Sequence, residues 1–265
     1  MGNFKMVIQY EGTRYQGWQK QENTENTIQG KLETLLSKMT GQKIEVQGSG
    51  RTDAGVHALG QVANFHADTD MAPEEILAYM NRYLPEDIAV ISLSRASERF
   101  HSRLNAKGKT YCYRVVFSGL PHVFDRRYSY VVSEKDGGER AQGGGLDLDA
   151  MREAAGYLLG THDFKAFTSN KRSKKSTVRN LEEIRIEKTC SASMRMKDVQ
   201  DEICFTYSGN GFLYHMVRIM TGTLLEVGMH KREPADMTSI ISSGNRENAG
   251  ELVPAKGLTL MEVRY

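Results

Sequence analysis

The sequence predicts an α+β fold, in which amphipathic strands and helices follow one another along a chain of 265 residues. The first observation is an alternation of apolar and polar residues typical of a half-buried strand, at Phe4, Met6, Ile8 and Tyr10. The second is a run of apolar residues at helical spacing that ends before Gly41, namely Ile28, Leu32, Leu35, Leu36 and Met39. A chain of this length buries enough apolar surface for one large or two ordinary domains.

The rest of the first half completes a recognisable order of elements. Further strands are predicted at residues 44–47, 61–66 and 87–94, and a second helix, which Pro73 opens, is predicted at 73–84. The resulting order, strand–helix–strand–strand–helix–strand, is the pattern of ferredoxin-like, or RRM-like, domains.

The second half repeats the mixture of strands and helices. Strands are predicted at residues 109–117, 126–132, 178–188, 202–207 and 258–264. Helices are predicted at residues 149–159, 212–227 and 235–242. A charged, glycine-rich stretch at 133–145 predicts a surface excursion. We expect two domains, formed by residues 1–104 and 105–265.

The distribution of charge favours a polyanionic partner more than the net charge of +2 does. One acid-free segment, residues 164–181, contains six basic residues: Lys165, Lys171, Arg172, Lys174, Lys175 and Arg179. A second segment, residues 99–133, contains seven basic residues and Asp125 as its one acid. Both segments suit a phosphate backbone. For residues 171–175 a solvated flexible loop is the alternative.

Cysteines and apolar runs bear on the compartment. Cys112, Cys190 and Cys204 are odd in number, widely spaced and outside any metal-binding pattern. We therefore expect reduced thiols in a cytoplasmic protein without a metal site. Arg218 interrupts the best candidate for an apolar span, so no membrane-spanning segment is expected.

The stretch GSGRTDAGVHALGQVANF, residues 48–65, places one carboxylate, Asp53, in a loop of glycines and small residues. The stretch is not a dinucleotide-binding fingerprint, because Asp53 occupies the position of the third glycine, and it lacks the Gly-Lys-Ser/Thr of a P-loop. Two interpretations stay open. Asp53 either accepts backbone N–H groups of its own turn, or it is an accessible carboxylate kept ionised by a cation such as Arg51.

Two other elements carry candidate residues. On the predicted helix at 212–227, Arg218 lies opposite the broad apolar face, where it is either a surface residue or an arginine directed into a cleft. In the strand KGKTYCYRV, Lys109, Tyr111 and Tyr113 point to one face. Sheet-type RNA binders stack bases on such a pattern, and ordinary half-buried strands contain it as well.

Eight motifs that stand in order along nearly the whole chain resemble those of the tRNA pseudouridine synthase A family. They are YEGTRYQGWQKQ, TIQGKLE, GSGRTDAGVHALGQVANF, NRYLPEDIAV, FHSRLNAKGKTYCYRV, GTHDFKAF, GFLYHMVRIMTGTLLEVG and PAKGLTLMEVRY. The glycine-rich motif is highly specific, and the presence of the others in the same order makes a coincidence negligible.

The resemblance implies an isomerase (an intramolecular transferase) that converts uridines 38, 39 and 40 of the tRNA anticodon stem-loop to pseudouridine. It implies a homodimer with a basic cleft for the RNA, and neither a metal nor an organic cofactor. Asp53 is implied as the catalytic aspartate, Arg218 as its ion-pair partner, and Tyr111 as the residue that packs on the base and assists proton transfer. The implied substrate-binding residues are Arg51, Thr52, His57, Lys109 and Tyr111. The implied fold joins two ferredoxin-like halves in one continuous mixed, mainly antiparallel sheet with helices packed on one side.

Several alternatives stay open. One alternative is a pseudouridine synthase of the same family whose target is another RNA, such as ribosomal RNA. A second is a non-catalytic RNA-binding module that uses Tyr111 and Tyr113. A third alternative is a nucleoside or glycoside hydrolase that uses Asp53, although such enzymes use a second carboxylate and this loop contains none. Whether Asp53 attacks C1′, adds to the ring or removes the 2′ proton also stays open. For His57, support of the loop is the alternative to substrate binding.

Overall fold

The computed structural model describes residues 1–133, 145–170, 176–189 and 202–265. Within these ranges the chain forms ten strands and five α-helices, which confirms the α+β class and the mixed, mainly antiparallel strand pairing. The chain divides into two compact units, the first formed by Met1–Lys109 with Thr259–Tyr265 and the second by Thr110–Leu258. The domain boundary between residues 104 and 105 stays a prediction.

The strands and helices are named here in chain order. The strands are β1 (Gly2–Tyr10), β2 (Val46–Gly48), β3 (His57–Ala67), β4 (Ile88–Ala96), β5 (Gly108–Phe117), β6 (Tyr130–Val132), β7 (Gly160–Asp163), β8 (Val178–Thr189), β9 (Glu202–Gly209) and β10 (Leu258–Arg264). The α-helices are α1 (Ile28–Thr40), α2 (Pro73–Tyr83), α3 (Leu148–Gly156), α4 (Met216–Gly228) and α5 (Asp236–Ser243).

The first unit has the ferredoxin-like arrangement that its sequence order predicts. Strand β1 pairs antiparallel with β4 on one side and with β3 on the other, and β2 pairs antiparallel with the far end of β3. The last strand, β10, pairs in parallel with the beginning of β3, where Thr259 stands opposite His57. Strand β3 is therefore the element on which β1, β2 and β10 all meet, and the loop of Asp53 leads directly into it.

The core of the first unit lies between the sheet and the apolar faces of α1 and α2. Fully buried side chains from β1, α1 and α2 include Phe4, Met6, Ile8, Leu32, Leu36, Ile76 and Met80. Helix α1 begins where the Thr27 hydroxyl accepts a hydrogen bond from the Gly30 N–H, and it ends at Gly41, whose φ of 69° is the left-handed conformation that glycine adopts without strain.

The second unit contains the strand order β5–β9–β8–β7, with β6 parallel to β5. The pairs β7–β8 and β8–β9 are antiparallel. Helix α4 is buried on nearly all sides, because every residue from Ile219 to Gly228 except Glu226 is buried. Such a helix belongs to the interior of its unit rather than to the surface.

Helix α4 differs from its prediction. Residues 212–215 were predicted as its first turn, but the helix begins at Met216, and His215 before it has a φ of 66°. A positive φ is incompatible with a right-handed helix, so the apolar spacing of Phe212 and Leu213 continues the helical period without being helical. Thr221 and Gly222, which follow Arg218 by three and four residues on the same side of the helix, are buried.

The prediction of reduced thiols stays a prediction, but two of the cysteines are neighbours. Cys112 on β5 and Cys204 on β9 face each other, with their Cα atoms 6.4 Å apart. Neighbouring strands bring the two residues within the separation that a disulfide spans, a proximity that their spacing of 92 residues does not reveal. Cys190 lies outside the described residues. Among the helices of the described ranges, none combines the length and the apolar character needed to cross a bilayer.

Candidate active site

The loop of Asp53 connects β2 to β3 and is held from below by two glycines of the segment between β1 and α1. The Gly17 Cα faces the loop backbone so closely that a Cβ there would stand 2.7 Å from the Thr52 carbonyl oxygen, and its φ is 90°. A Cβ on Gly12 would overlap the Val56 carbonyl. Glycine is the residue that allows two backbones to approach in this way. Gly12 and Gly17 therefore set how closely the loop packs against the segment between β1 and α1.

The beginning of the loop is fixed by side-chain hydrogen bonds. The Ser49 hydroxyl donates to the Gln61 Oε1 at 2.7 Å, and the Gln61 Nε2 donates to the Gly50 carbonyl at 3.2 Å. The Lys109 Nζ donates to the Ser49 carbonyl at 3.0 Å. The backbone of Ser49 and Gly50 is therefore held by a strand β3 amide and by a lysine at the start of β5.

The middle of the loop is fixed at Thr52. This residue is buried, and its hydroxyl is 2.8 Å from the Tyr10 hydroxyl. Its carbonyl accepts from the Trp18 backbone N–H at 3.0 Å. Thr52 therefore contacts the protein interior, and its predicted substrate-binding role stays a prediction.

Asp53 follows Thr52 and is half-buried. Its carbonyl accepts from the Val56 N–H at 3.2 Å, which closes a tight turn around Ala54 and Gly55. Gly55 has a φ of 79°, a conformation that suits glycine. The exposed Arg51 two residues earlier donates from Nε to the Gln19 side chain at 2.8 Å. The loop thus carries a carboxylate and a guanidinium two residues apart, and the guanidinium contacts Gln19.

His57 is the first residue of β3 rather than part of the loop. It is buried, and its Nδ1 accepts a hydrogen bond from the Gly12 N–H at 3.0 Å. The Glu11 carboxylate lies 3.5 Å from the same nitrogen. These contacts join the loop to the end of β1, as expected for a histidine that supports the loop, and its role in substrate binding stays a prediction.

Lys109 combines burial with a contact to the loop. Burial, and to a smaller extent the charge of Arg103, lowers the pKa of Lys109 from its ordinary 10.5 to about 8. Its Nζ keeps an N–H donor for the Ser49 carbonyl in either protonation state. Lys109 therefore lies beside the Asp53 loop and loses its positive charge at a lower pH than an ordinary lysine.

The lowered pKa of Lys109 predicts a pH dependence of stability. Between pH 8 and 10.5 the unfolded chain binds a proton at this lysine that the folded chain does not, so folding becomes more favourable as the pH rises through this range. The destabilisation by the charged form is fully present below pH 8. We expect the free energy of unfolding of the wild type, minus that of Lys109→Met, to increase from pH 8 to 10.5 in denaturant titrations. A difference that is flat or falls would contradict the lowered pKa.

In the second unit, Tyr111 is only 8% exposed and its ring contacts Phe212 edge to face, with centroids 5.1 Å apart. Tyr113 is fully buried and donates from its hydroxyl to the Pro254 carbonyl at 2.7 Å. The exposed aromatic pair that a non-catalytic, sheet-type RNA binder requires is therefore missing at these positions, because Tyr113 belongs to the core.

Arg218 lies on α4 in the second unit and is half-buried. Its Nε donates to the Val253 carbonyl at 2.8 Å. The guanidinium is thus anchored by one nitrogen and is not a mobile surface arginine. The structure brings Arg51, Thr52, Asp53, His57 and Lys109 together in the first unit, whereas Tyr111 and Arg218 belong to the second.

The basic segments are described in part. Arg99, Arg103 and Lys107 in the first unit and Arg126 and Arg127 in the second are exposed. Asp125, the one acid of the segment 99–133, lies 3.8 Å from Arg114, within ion-pair range. Lys165 is exposed on a short 3₁₀ turn. The predicted backbone contacts Lys171, Arg172, Lys174 and Lys175 lie outside the described residues, as does most of the excursion at 133–145.

Sequence reasoning missed four residues that shape the loop: Tyr10, Gly12, Gly17 and Gln61. They stand in the motifs YEGTRYQGWQ and HALGQVANF, so they were in view without an assigned role. A polar glutamine on the buried face of a strand was the available signal. Within the described part of the chain, no three His, Cys, Asp or Glu side chains are grouped so that they could hold a metal ion.

Comparison with known proteins identifies the family. A family model described as tRNA pseudouridine synthase matches residues 6–104 and 154–265. The chain is 45% identical over 265 residues to tRNA pseudouridine synthase A of Bacillus sp. (strain KSM-64), with 100% of both chains covered. It is 45% identical over 265 residues to tRNA pseudouridine synthase A 1 of Clostridium tetani and 41% identical over 266 residues to tRNA pseudouridine synthase A of Acetivibrio thermocellus, again with full coverage of both chains. The chain belongs to the tRNA pseudouridine synthase family, as its motifs predicted.

Proposed function

We propose that this protein is an isomerase that converts uridine to pseudouridine in tRNA, at positions 38, 39 and 40 of the anticodon stem-loop. The observation that carries the proposal is a half-buried carboxylate, Asp53, on a loop backbone that hydrogen bonds fix on both sides, two residues after the exposed cation Arg51. The full-length similarity to proteins named tRNA pseudouridine synthase A supports the reaction and the tRNA substrate. The anticodon positions rest on the resemblance of the motifs to that family.

The reaction is balanced without an added reactant. The C1′–N1 bond of uridine breaks, the uracil turns, and C5 forms the new bond to C1′. The proton lost from C5 is matched by one gained at N1. Three mechanisms are possible for Asp53: it attacks C1′, adds to the ring or removes the 2′ proton. In each of them Asp53 serves as the nucleophile or the base, because each step requires an ionised carboxylate.

The substrate must reach the carboxylate from a base-paired or stacked position. Extruding a nucleotide from its stack costs a few kcal/mol, and stacking on an aromatic side chain returns roughly 1–3 kcal/mol. We assign this contact to Tyr111, whose ring is held edge to face by Phe212. We assign Arg218 to keeping Asp53 ionised, and Arg51 and Lys109 to substrate binding. These roles rest on the resemblance together with the surroundings of each residue.

Exposed cations supply the remaining binding energy. Arg99, Arg103, Lys107, Arg126 and Arg127 are exposed in an acid-poor segment, which suits a phosphate backbone and predicts affinity that falls with salt. A homodimer and a cytoplasmic location belong to the same proposal, the first implied by the family and the second by a tRNA substrate.

The test is conversion of a defined RNA by the purified protein. We expect pseudouridine in a tRNA transcript with uridines at positions 38, 39 and 40, and none there in a transcript with cytidines at those positions. Release of free uracil would instead indicate a hydrolase. Modification of ribosomal RNA but not of tRNA would overturn the proposed substrate.

A further inference from the structure

Beneath the Asp53 loop lies a row of four buried polar side chains, which we call the buried polar row: Ser49, Gln61, Tyr10 and Thr52. Gln61 is 0% and Tyr10 is 4% exposed, and the other two are buried as well. Burying an amide and three hydroxyl groups is costly unless each of them is hydrogen-bonded. Within the described ranges no buried side-chain nitrogen or oxygen lacks a partner, so this row is fully satisfied.

Hydrogen bonds connect each member of the row to the next. The Gln61 amide donates to the Gly50 carbonyl at 3.2 Å and to the Tyr10 hydroxyl at 3.4 Å. The Tyr10 and Thr52 hydroxyls lie 2.8 Å apart, where either of them can donate to the other. The remaining acceptor of Gln61, Oε1, receives the Ser49 hydroxyl at 2.7 Å.

Three of these four bonds end on residues that immediately precede Asp53, and the fourth joins Gln61 to Tyr10. Gln61 holds Ser49 and Gly50, and Tyr10 holds Thr52. The row therefore sets the position of the backbone from which the Asp53 side chain projects. An apolar pair at positions 10 and 61 would fill the same space without the risk of unsatisfied polar groups. Packing of the core therefore does not require polar side chains at these two positions, whereas holding the backbone of the loop does.

A second buried amide on the same strand shows what a structural amide does. Asn64, three residues after Gln61, is equally buried, and its amide donates to the Asn3 side chain at 3.1 Å while its Oδ1 accepts from the Ser102 N–H at 2.9 Å. An odd separation places the two amides on opposite faces of β3. Asn64 thus fixes the segment around Ser102, whereas Gln61 fixes the loop of Asp53.

We infer that Gln61 and Tyr10 are positioning residues for the Asp53 carboxylate, acting through the backbone of residues 49–52. The inference rests on the proposed function, because it requires Asp53 to be the reacting group. A misplacement of about 1 Å lowers a rate by up to about 100-fold, so a change at Gln61 or Tyr10 acts on the chemical step more than on RNA affinity.

The protonation of Tyr10 keeps the row intact across the neutral range. Burial raises the pKa of Tyr10 to about 12, and the hydrogen bonds from Thr52 and Gln61 oppose this rise only in part. The Tyr10 hydroxyl therefore keeps its proton at neutral pH, and the row does not act as a pH switch in that range.

The experiment compares Gln61→Met with Asn64→Leu, two replacements of a buried amide by an apolar side chain of similar volume on one strand. For each variant, kcat and KM for pseudouridine formation in the tRNA transcript and the thermal midpoint are measured on the folded protein. We expect Gln61→Met to lower kcat about 10- to 100-fold with KM within about threefold, and Asn64→Leu to lower the midpoint with little change in kcat.

Tyr10→Phe keeps the test falsifiable should Gln61→Met fail to fold, because it removes one hydroxyl group and no volume. It is expected to lower kcat about 10-fold with unchanged RNA affinity. Wild-type kcat in the folded Gln61→Met and Tyr10→Phe variants would overturn the inference, and so would an equal fall of kcat in Asn64→Leu. Both of these results are obtained with a wild type that forms pseudouridine. If the proposed function fails, by contrast, the wild type itself forms no pseudouridine, so the two failures are distinguishable.

Discussion

Replacing Asp53 by asparagine is expected to reduce pseudouridine formation by at least about 10³-fold while tRNA affinity stays within a few-fold of wild type. Asparagine has nearly the same shape as aspartate, so the half-buried side chain and the turn closed by the Val56 N–H can be retained. The variant loses the negative charge that a nucleophile or base requires. Removing a negative charge beside RNA does not weaken binding.

The measurement is single-turnover conversion of the tRNA transcript at saturating protein, with affinity determined separately by a binding titration. Arg51→Gln is a useful comparison, because it changes the neighbouring cation and leaves the carboxylate in place. Wild-type turnover by Asp53→Asn would remove Asp53 from the mechanism. Loss of binding in parallel with loss of turnover would show that the variant is misfolded or that Asp53 contributes to affinity.

The second large effect is expected at Gly17, because this residue allows the Asp53 loop to pack closely against the segment between β1 and α1. A Cβ at Gly17 would stand 2.7 Å from the Thr52 carbonyl, and the φ of 90° already disfavours any other residue. The left-handed backbone alone costs roughly 1–2 kcal/mol for alanine. We expect Gly17→Ala to lower the free energy of unfolding by more than this amount and kcat by at least about 10-fold, since the displaced backbone carries Asp53.

Gly41→Ala is the matched control for Gly17→Ala. Gly41 also has a left-handed φ, 69°, but a Cβ there would meet no atom within 4 Å. The control therefore isolates the backbone strain, of roughly 1–2 kcal/mol, and its kcat is expected to match that of the wild type. Equal behaviour of the two variants in stability and turnover would contradict the role given to the close approach of Gly17 and Thr52.

The fold of the first unit was accessible from sequence because its signals are local. Alternating residues in β1, the helical spacing and Gly41 stop of α1, and Pro73 at the start of α2 each predict an element independently, and the order of elements then fixes the ferredoxin-like topology. Asp53 was accessible for a different reason, since the glycine-rich motif that surrounds it is specific to one family, whereas the loop composition alone left a structural turn open.

The remaining features depend on contacts between residues distant in sequence. The hydrogen bonds of Gln61 to residues 11 or 12 positions away, and to Tyr10 51 positions away, exist only once β1, β2 and β3 are paired. The burial of His57 and the pairing of β10 with β3 have the same origin. Helix α4 was placed four residues too early because periodicity does not report the positive φ of His215.

The cysteines illustrate a limit of composition arguments. Their wide spacing along the chain did not reveal a pair, yet strand pairing places Cys112 beside Cys204. Their redox state stays a prediction, and the cytoplasmic location rests on the proposed tRNA substrate.

The central claim is that the Asp53 carboxylate converts uridine to pseudouridine in the tRNA anticodon stem-loop. Its most direct test is mapping of pseudouridine in tRNA and ribosomal RNA from cells that lack the protein, complemented with wild type or with Asp53→Asn. The account predicts that pseudouridine disappears at tRNA positions 38, 39 and 40, returns with the wild type and stays absent with Asp53→Asn, while ribosomal RNA is unchanged. Restoration by Asp53→Asn, or loss confined to ribosomal RNA, would contradict it.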